Sequence, residues 1–191
     1  PEAYRSRAVH VFSDAALAPD PSNPGNYIAQ YGFLLNYVNE AGRTTWAFDA
    51  HKVELSEPHA KALGIEFWET EAARMPLRSP ELAPALQNSF LISHIDNAAS
   101  AFNLVKIKHG SAFKVTQYSE VAQEIQKHQA FHIVDYIPTD LNPADYLTRM
   151  DNLATKIIKH YAATQCRSNP VSLKQYLGSA APLPERVVFP Q

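Results

Sequence analysis

Phe90-Leu91-Ile92-Ser93-His94-Ile95-Asp96-Asn97 decides how this chain folds. The apolar run is too short for a buried helix of ordinary length, so it reads as an interior strand that finishes at Asp96. On its C-terminal side, Asn97 to Val105 reads as a helix with Ala98, Ala101, Phe102 and Val105 along one face. Val115 to His128 follows as a second amphipathic helix, striped by Tyr118, Val121, Ala122 and Ile125. Phe131 to Ile137 then reads as another strand, cut off by Pro138. Strands joined through helical crossovers predict parallel pairing within one sheet.

Toward the N-terminus, Pro58 to Met75 carries good helix formers and lacks strand alternation, with Pro76 and Pro80 breaking it. Before that helix come three strands. Ala8 to Ser13 is a short apolar run, and Asp20-Pro21-Ser22-Asn23-Pro24-Gly25-Asn26 is a loop dense in turn formers. Tyr27 to Tyr37 is rich in β-branched, aromatic and aliphatic residues, and Glu40-Ala41-Gly42 turns the chain into Arg43 to Phe48. Beyond the fifth strand, Asn142-Pro143 opens a last helix and puts Asp145 in its first turn, where the N-terminal dipole favours a carboxylate. The order β-β-β-α-β-α-α-β-α predicts an α/β fold. Its five-stranded mixed sheet would be an antiparallel meander of strands 1 to 3 followed by parallel strands 4 and 5, flanked by helices.

Bulk composition narrows the setting. The chain has 191 residues, 46% of them hydrophobic, enough for one globular domain with its own core. The expected division is a domain over residues 1–155 and a proline-containing extension or linker over 156–191. A single cysteine, Cys166, excludes an internal disulfide and a cysteine-rich zinc site, and fits a reducing, intracellular compartment, cytoplasmic or nuclear. No apolar run reaches the roughly 20 residues of a membrane span. The start at Pro1 suggests a piece of something longer.

The net charge of −2 argues against strong autonomous binding to nucleic acid, which is usually the work of a basic domain. Lys106-Ile107-Lys108-His109, with Lys114 nearby, is the best basic strip available. Its plainer reading is a solvated helix end.

Four acids carry the chemistry. Asp14 ends the run Ala8-Val9-His10-Val11-Phe12-Ser13-Asp14, and Asp96 ends the central strand. Glu69 lies in the helical Ile65-Glu66-Phe67-Trp68-Glu69-Thr70-Glu71-Ala72, and Asp145 follows Asn142-Pro143-Ala144. If strands 1 and 4 are parallel neighbours, Asp14 and Asp96 stand side by side at strand ends, where open α/β sheets build their sites. Converging carboxylates repel one another when empty and suit hard, oxygen-seeking divalent cations. Two such ions, roughly 3.5–4 Å apart, hydrolyse phosphodiesters by activating water and stabilising the leaving oxygen. On its own, Asp145 has a plainer reading as a stabiliser of a helix start.

These motifs resemble those of the ribonuclease H domains of reverse-transcribing retroelements, over about Ala8 to Met150. Phe12-Ser13-Asp14-Ala15-Ala16 resembles the family's first-strand motif, and His94-Ile95-Asp96-Asn97 its fourth-strand motif. Ile65 to Ala72 is similar to the helix segment of the DIRS-like group, whose register selects Glu69 over Glu66 and Glu71. Tyr136-Ile137-Pro138 with Leu141-Asn142-Pro143-Ala144-Asp145 and Arg149 resembles the ending shared by DIRS, BEL/Pao and Ty3-type elements. The second strand departs from the pattern, since Gly32 alone stands where a glycine-rich start is usual.

The resemblance implies a ribonuclease H-like fold that hydrolyses the RNA strand of RNA:DNA hybrids. It implies two Mg²⁺ ions, replaceable by Mn²⁺, held by Asp14, Glu69, Asp96 and Asp145. The hybrid would be recognised through 2′-hydroxyls in the minor groove, with Asn97, Lys106 and Lys108 as contacts. The adjoining reverse transcriptase domain of one polyprotein is the implied partner. The alternative is a domesticated, catalytically inactive module of the same fold that binds or assembles.

Overall fold

The computed structural model describes residues 8–38, 44–106 and 112–148. Strands β1 (Ala8–Pro19), β2 (Asn26–Val38) and β3 (Thr44–Ser56) come first. Helix α1 (Glu57–Arg78) and the one-turn helix α2 (Ala83–Leu86) lead into β4 (Phe90–Ile95). Helices α3 (Ala98–Lys106) and α4 (Ala112–Lys127) cross over to β5 (Phe131–Tyr136). Two 3-10 turns follow, Thr139–Leu141 and Pro143–Tyr146. The sheet order is β3-β2-β1-β4-β5. β1, β2 and β3 pair antiparallel and β4 pairs parallel with β5, as the sequence predicts; β1 and β4, a condition in that reading, are parallel neighbours.

Two strands outrun their expected ends. β1 does not stop at Ser13 but continues through Ala15-Ala16-Leu17-Ala18 to Pro19, because this second half pairs with β2 from Tyr31 back to Tyr27. β3 continues from Phe48 through Asp49-Ala50-His51-Lys52-Val53-Glu54 to Ser56. Its far side is the unpaired edge of the sheet, where charged residues are common because they deter stray pairing. That charge hides the strand from a reading based on hydrophobicity.

One face of the sheet holds the main core. Val9, Val11, Phe33, Leu35, Leu91 and Ile95 meet Leu77, Leu86, Ala101, Leu104, Tyr118, Val121 and Ile125 from the helices. Full burial of each large aliphatic side chain contributes about 1.5–3 kcal/mol. The face of α3 differs from the expected one: Ser100, Ala101 and Leu104 point inward, while Phe102 and Val105 are exposed. A smaller cluster of Ala15, Ala29 and Trp68, flanked by Ile65 and Phe67, seats the middle of α1 on the distal half of β1.

α1 begins with Pro58 in its first turn and bends at Gly64, whose φ of 68° an L side chain rarely adopts. It passes Pro76 and ends at Arg78, three residues beyond the expected stop. The bend frees the segment after Gly64 to lie along β1 at its own angle, and that segment carries Glu69. The last expected helix shows, within the described residues, a 3-10 turn capped by Asn142 with Pro143 at its first position. The expected domain boundary at 155/156, Cys166 and Lys108 lie outside the described residues. Among those described, no helix is long and apolar enough to cross a membrane.

Gly32 earns its place sterically. It pairs with Asp14 on one side and Ala50 on the other, and a Cβ there would sit 2.7 Å from the Asp49 carbonyl oxygen and 3.1 Å from Ala50 Cβ. The obstacle is backbone, which cannot swing aside. Gly32→Ala is expected to destabilise the protein by about 1–3 kcal/mol, the usual cost of overpacking. Urea denaturation measures this directly, and an unchanged midpoint would mean that β3 does not hold this close to β2.

Candidate active site

Asp14 and Asp96 are brought level by the parallel ladder. Its last pair sets Phe12 opposite His94, so two residues further on both aspartates leave the ladder together. The strand that ends here is β4. β1 runs past on its antiparallel partner, so Asp14 sits in mid-strand rather than at the expected strand end. Ala72 and Ala73, both buried, lie on the same helix just beyond Glu69, and their small size lets α1 come close to the sheet. Glu69 thereby joins the pair: one carboxylate oxygen from each of Asp14, Glu69 and Asp96 lies within 4.8 Å of the other two.

The other helix glutamates are committed elsewhere. Glu66 pairs with Lys114 at 2.6 Å. Glu71 bonds Arg74 at 3.0 Å, Arg78 at 3.4 Å and the Gln117 amide at 3.0 Å. Sequence offers three carboxylates within six residues, and cationic partners from α1 and α4 remove two of them.

The segment after β5 closes the site. The Asn142 side chain donates to the Ser13 carbonyl at 2.9 Å and also bonds Asp96, while its Oδ1 accepts the Ala144 N–H at 3.1 Å. The Thr148 hydroxyl lies 2.5 Å from Asp14 Oδ2 and 2.9 Å from the Asp145 carbonyl. Gln30 ties the same segment to β2 through the Leu147 carbonyl at 2.7 Å. Asp145 lies near enough to act electrostatically on both Asp14 and Asp96, outside the tight group of three.

Burial governs the electrostatics. Asp14 and Glu69 are only 7% and 6% exposed, so their charged forms lose most of their hydration. Burial first, then the charges of Asp14 and Asp96, push Glu69 up to about 9. Asp14 rises to about 7, chiefly through burial and further through Asp96 and Asp145, against the pull of the Thr148 hydroxyl. Asp96 is raised by burial as well, while the Asn142 and Thr139 side chains restrain it. Glu69 Oε2 is buried with no hydrogen-bond partner. Three acids raised together and one orphaned oxygen fit a hard divalent cation with an all-oxygen shell.

The expected substrate contacts fare differently. Asn97 follows Asp96 and caps α3, its Oδ1 taking the Ser100 N–H at 3.0 Å. Lys106 is exposed at the end of α3 with its ammonium 5.6 Å over the Phe102 ring. Lys114, part of the expected strip, is tied to Glu66. Two residues that sequence reasoning left out of the site, Asn142 and Thr148, touch it directly. Asn142 was legible as a helix cap, whereas nothing local in the sequence marks Thr148.

No family model matches the chain, and no curated protein matches it in sequence. Solved structures resemble it in fold. A ribonuclease H1 isolated from compost by a metagenomic approach aligns with a TM-score of 0.53 at 14% identity, over 74% of this chain and 92% of its own. The ribonuclease H1 of the halophilic archaeon Halobacterium salinarum gives 0.48 at 17% identity, over 73% and 93%. A foamy viral protease-reverse transcriptase, solved with dsDNA, gives 0.48 at 12% identity, over 75% and 93%.

Proposed function

We propose that this chain, whose fold is that of ribonuclease H, is a metal-dependent endonuclease that cuts the RNA strand of RNA:DNA hybrids. The observation that carries the reading is the meeting of Asp14, Glu69 and Asp96 within 4.8 Å, with Glu69 Oε2 buried and unpaired. These three, with Asp145 beside them, are the residues that would hold Mg²⁺ or Mn²⁺. When bound, two such ions supply the charge that activates a water and stabilises the leaving oxygen of a phosphodiester.

The chain's own work is positioning. Three separate elements, β1, α1 and the end of β4, present carboxylates to one point, and their burial limits competition from bulk water. Asn142 fixes Asp96 and the backbone at Ser13 together. Asn97, directly beside Asp96, and the exposed Lys106 are proposed contacts to the hybrid, with Lys108 a third. The sequence ending Asn142-Pro143-Ala144-Asp145 supports placement in a retroelement polyprotein beside a reverse transcriptase domain, acting in the cytoplasm or nucleus.

The test is incubation of the full chain with a labelled RNA:DNA hybrid in Mg²⁺, in Mn²⁺ and in EDTA, beside duplex DNA and duplex RNA. Cutting of the hybrid's RNA alone, lost in EDTA, is the expected result. A folded protein that binds no Mn²⁺ and cuts nothing would favour the binding-module reading instead.

A further inference from the structure

The structure assigns to Thr148 the role of positioning residue for Asp14: its hydroxyl holds one carboxylate oxygen and so aims the other at the cluster. This assignment rests on the nuclease reading and adds a residue to it. Thr148 is 6% exposed, and its Oγ1 stands 2.5 Å from Asp14 Oδ2 and 2.9 Å from the Asp145 carbonyl. Its one proton serves the nearer acceptor, the Asp14 carboxylate, with the Asp145 carbonyl within reach beside it.

The geometry explains why such a group is needed. Asp14 lies in mid-strand beyond the end of the parallel ladder, so β4 gives it no lateral support. A carboxylate turns about its last bond over a broad, roughly two-fold range. A hydroxyl fixed on one oxygen narrows that range for the other. Thr148 is itself held by its burial and by Gln30, whose amide donates to the neighbouring Leu147 carbonyl at 2.7 Å, so it is a fixed reference. Groups that orient metal-binding carboxylates from outside typically affect metal affinity or activity by about 10- to 100-fold.

The experiment compares Thr148→Val, which keeps the branched shape and removes the hydroxyl, with Thr148→Ser, which keeps the hydroxyl. Mn²⁺ affinity is read by electron paramagnetic resonance, and hybrid cutting by kcat and KM. Thr148→Val is expected to weaken Mn²⁺ binding and lower kcat by about 10- to 100-fold each, leaving KM for the hybrid near wild type. Thr148→Ser should restore most of both. A folded Ser variant that binds and cuts as poorly as the Val variant would overturn the assignment. So would a Val variant equal to wild type.

A role in folding alone is separated by a double-mutant cycle on Mn²⁺ affinity with Asp14→Asn. The Val substitution should lose its effect once the Asp14 carboxylate is gone, and an undiminished effect overturns the assignment. Wild-type protein that neither binds Mn²⁺ nor cuts the hybrid would sink the nuclease reading, and this role with it. Wild-type protein that does both, with an unaffected Val variant, would sink this role alone.

Discussion

Asp14→Asn is expected to abolish cutting of the hybrid and, in metal-free buffer at pH 8, to raise the melting temperature. The two effects share a cause. Asp14 is buried against Asp96 and Asp145, which together with burial push its carboxyl up to about 7, so at pH 8 the folded protein carries a charge that its surroundings oppose. Asparagine has the same shape, still offers an oxygen to the Thr148 hydroxyl, and bears no charge. The neutral amide is a poor ligand for a hard cation. Loss of several kcal/mol of charge stabilisation corresponds to a rate lower by about 10³-fold or more. Initial rates in Mn²⁺ and thermal melts in EDTA measure the two halves. A variant that still cuts removes Asp14 from the centre, and one that melts lower shows that the carboxylate contributes to the fold.

Cation binding is expected to expel protons, and more of them at pH 6 than at pH 8. Asp14 and Glu69 titrate ordinarily near 3.8 and 4.5, and in the fold near about 7 and about 9. Between those limits the folded protein holds protons that the unfolded chain has lost. These two acids therefore contribute less stability as pH rises from about 4 to about 9. His10, His94 and His132, which burial holds below their ordinary value of 6.5, work the opposite way at the acidic end of that range. A divalent cation needs the carboxylates ionised, so its binding should release about two protons at pH 6 and about one at pH 8. Calorimetry in two buffers of different ionisation enthalpy counts them. Its companion is a melting temperature that Mn²⁺ raises by an amount growing with pH. Proton release near zero at both values would mean that the acids are already ionised, and that the cluster is looser than a 4.8 Å grouping implies.

Where the sequence was readable, the cause is local. Asp96 could be placed because an apolar run too short for a helix stops there and a helix begins. Asn142 and Pro143 announce a capped turn by their own backbone preferences. The parallel pairing of β4 with β5 followed from the helical crossover between them. What could not be read depends on partners far away in the chain. Asp14 reads as a strand end because pairing of Ala15 to Pro19 with β2 is invisible locally. Glu69 was singled out only through the family resemblance; the physical reason lies in Lys114 and Gln117 from α4, with Arg74 and Arg78 on α1 itself, which engage Glu66 and Glu71. The inward face of α3 is set by what β4, β5 and α4 leave open, so Leu104 took the place expected for Phe102.

The clasp made by Asn142 and Thr148 also has a temporal meaning. The bonds Asn142 to Ser13 and Thr148 to Asp14 span 129 and 134 positions of the chain. Such distant closures form late, because the intervening loop must lose its freedom before any contact compensates. During synthesis a nascent polypeptide would carry Asp14, Glu69 and Asp96 long before residue 148 leaves the ribosome. On the proposed nuclease reading, full affinity for Mn²⁺ would come as one of the last events of folding, and the cation would report completed closure.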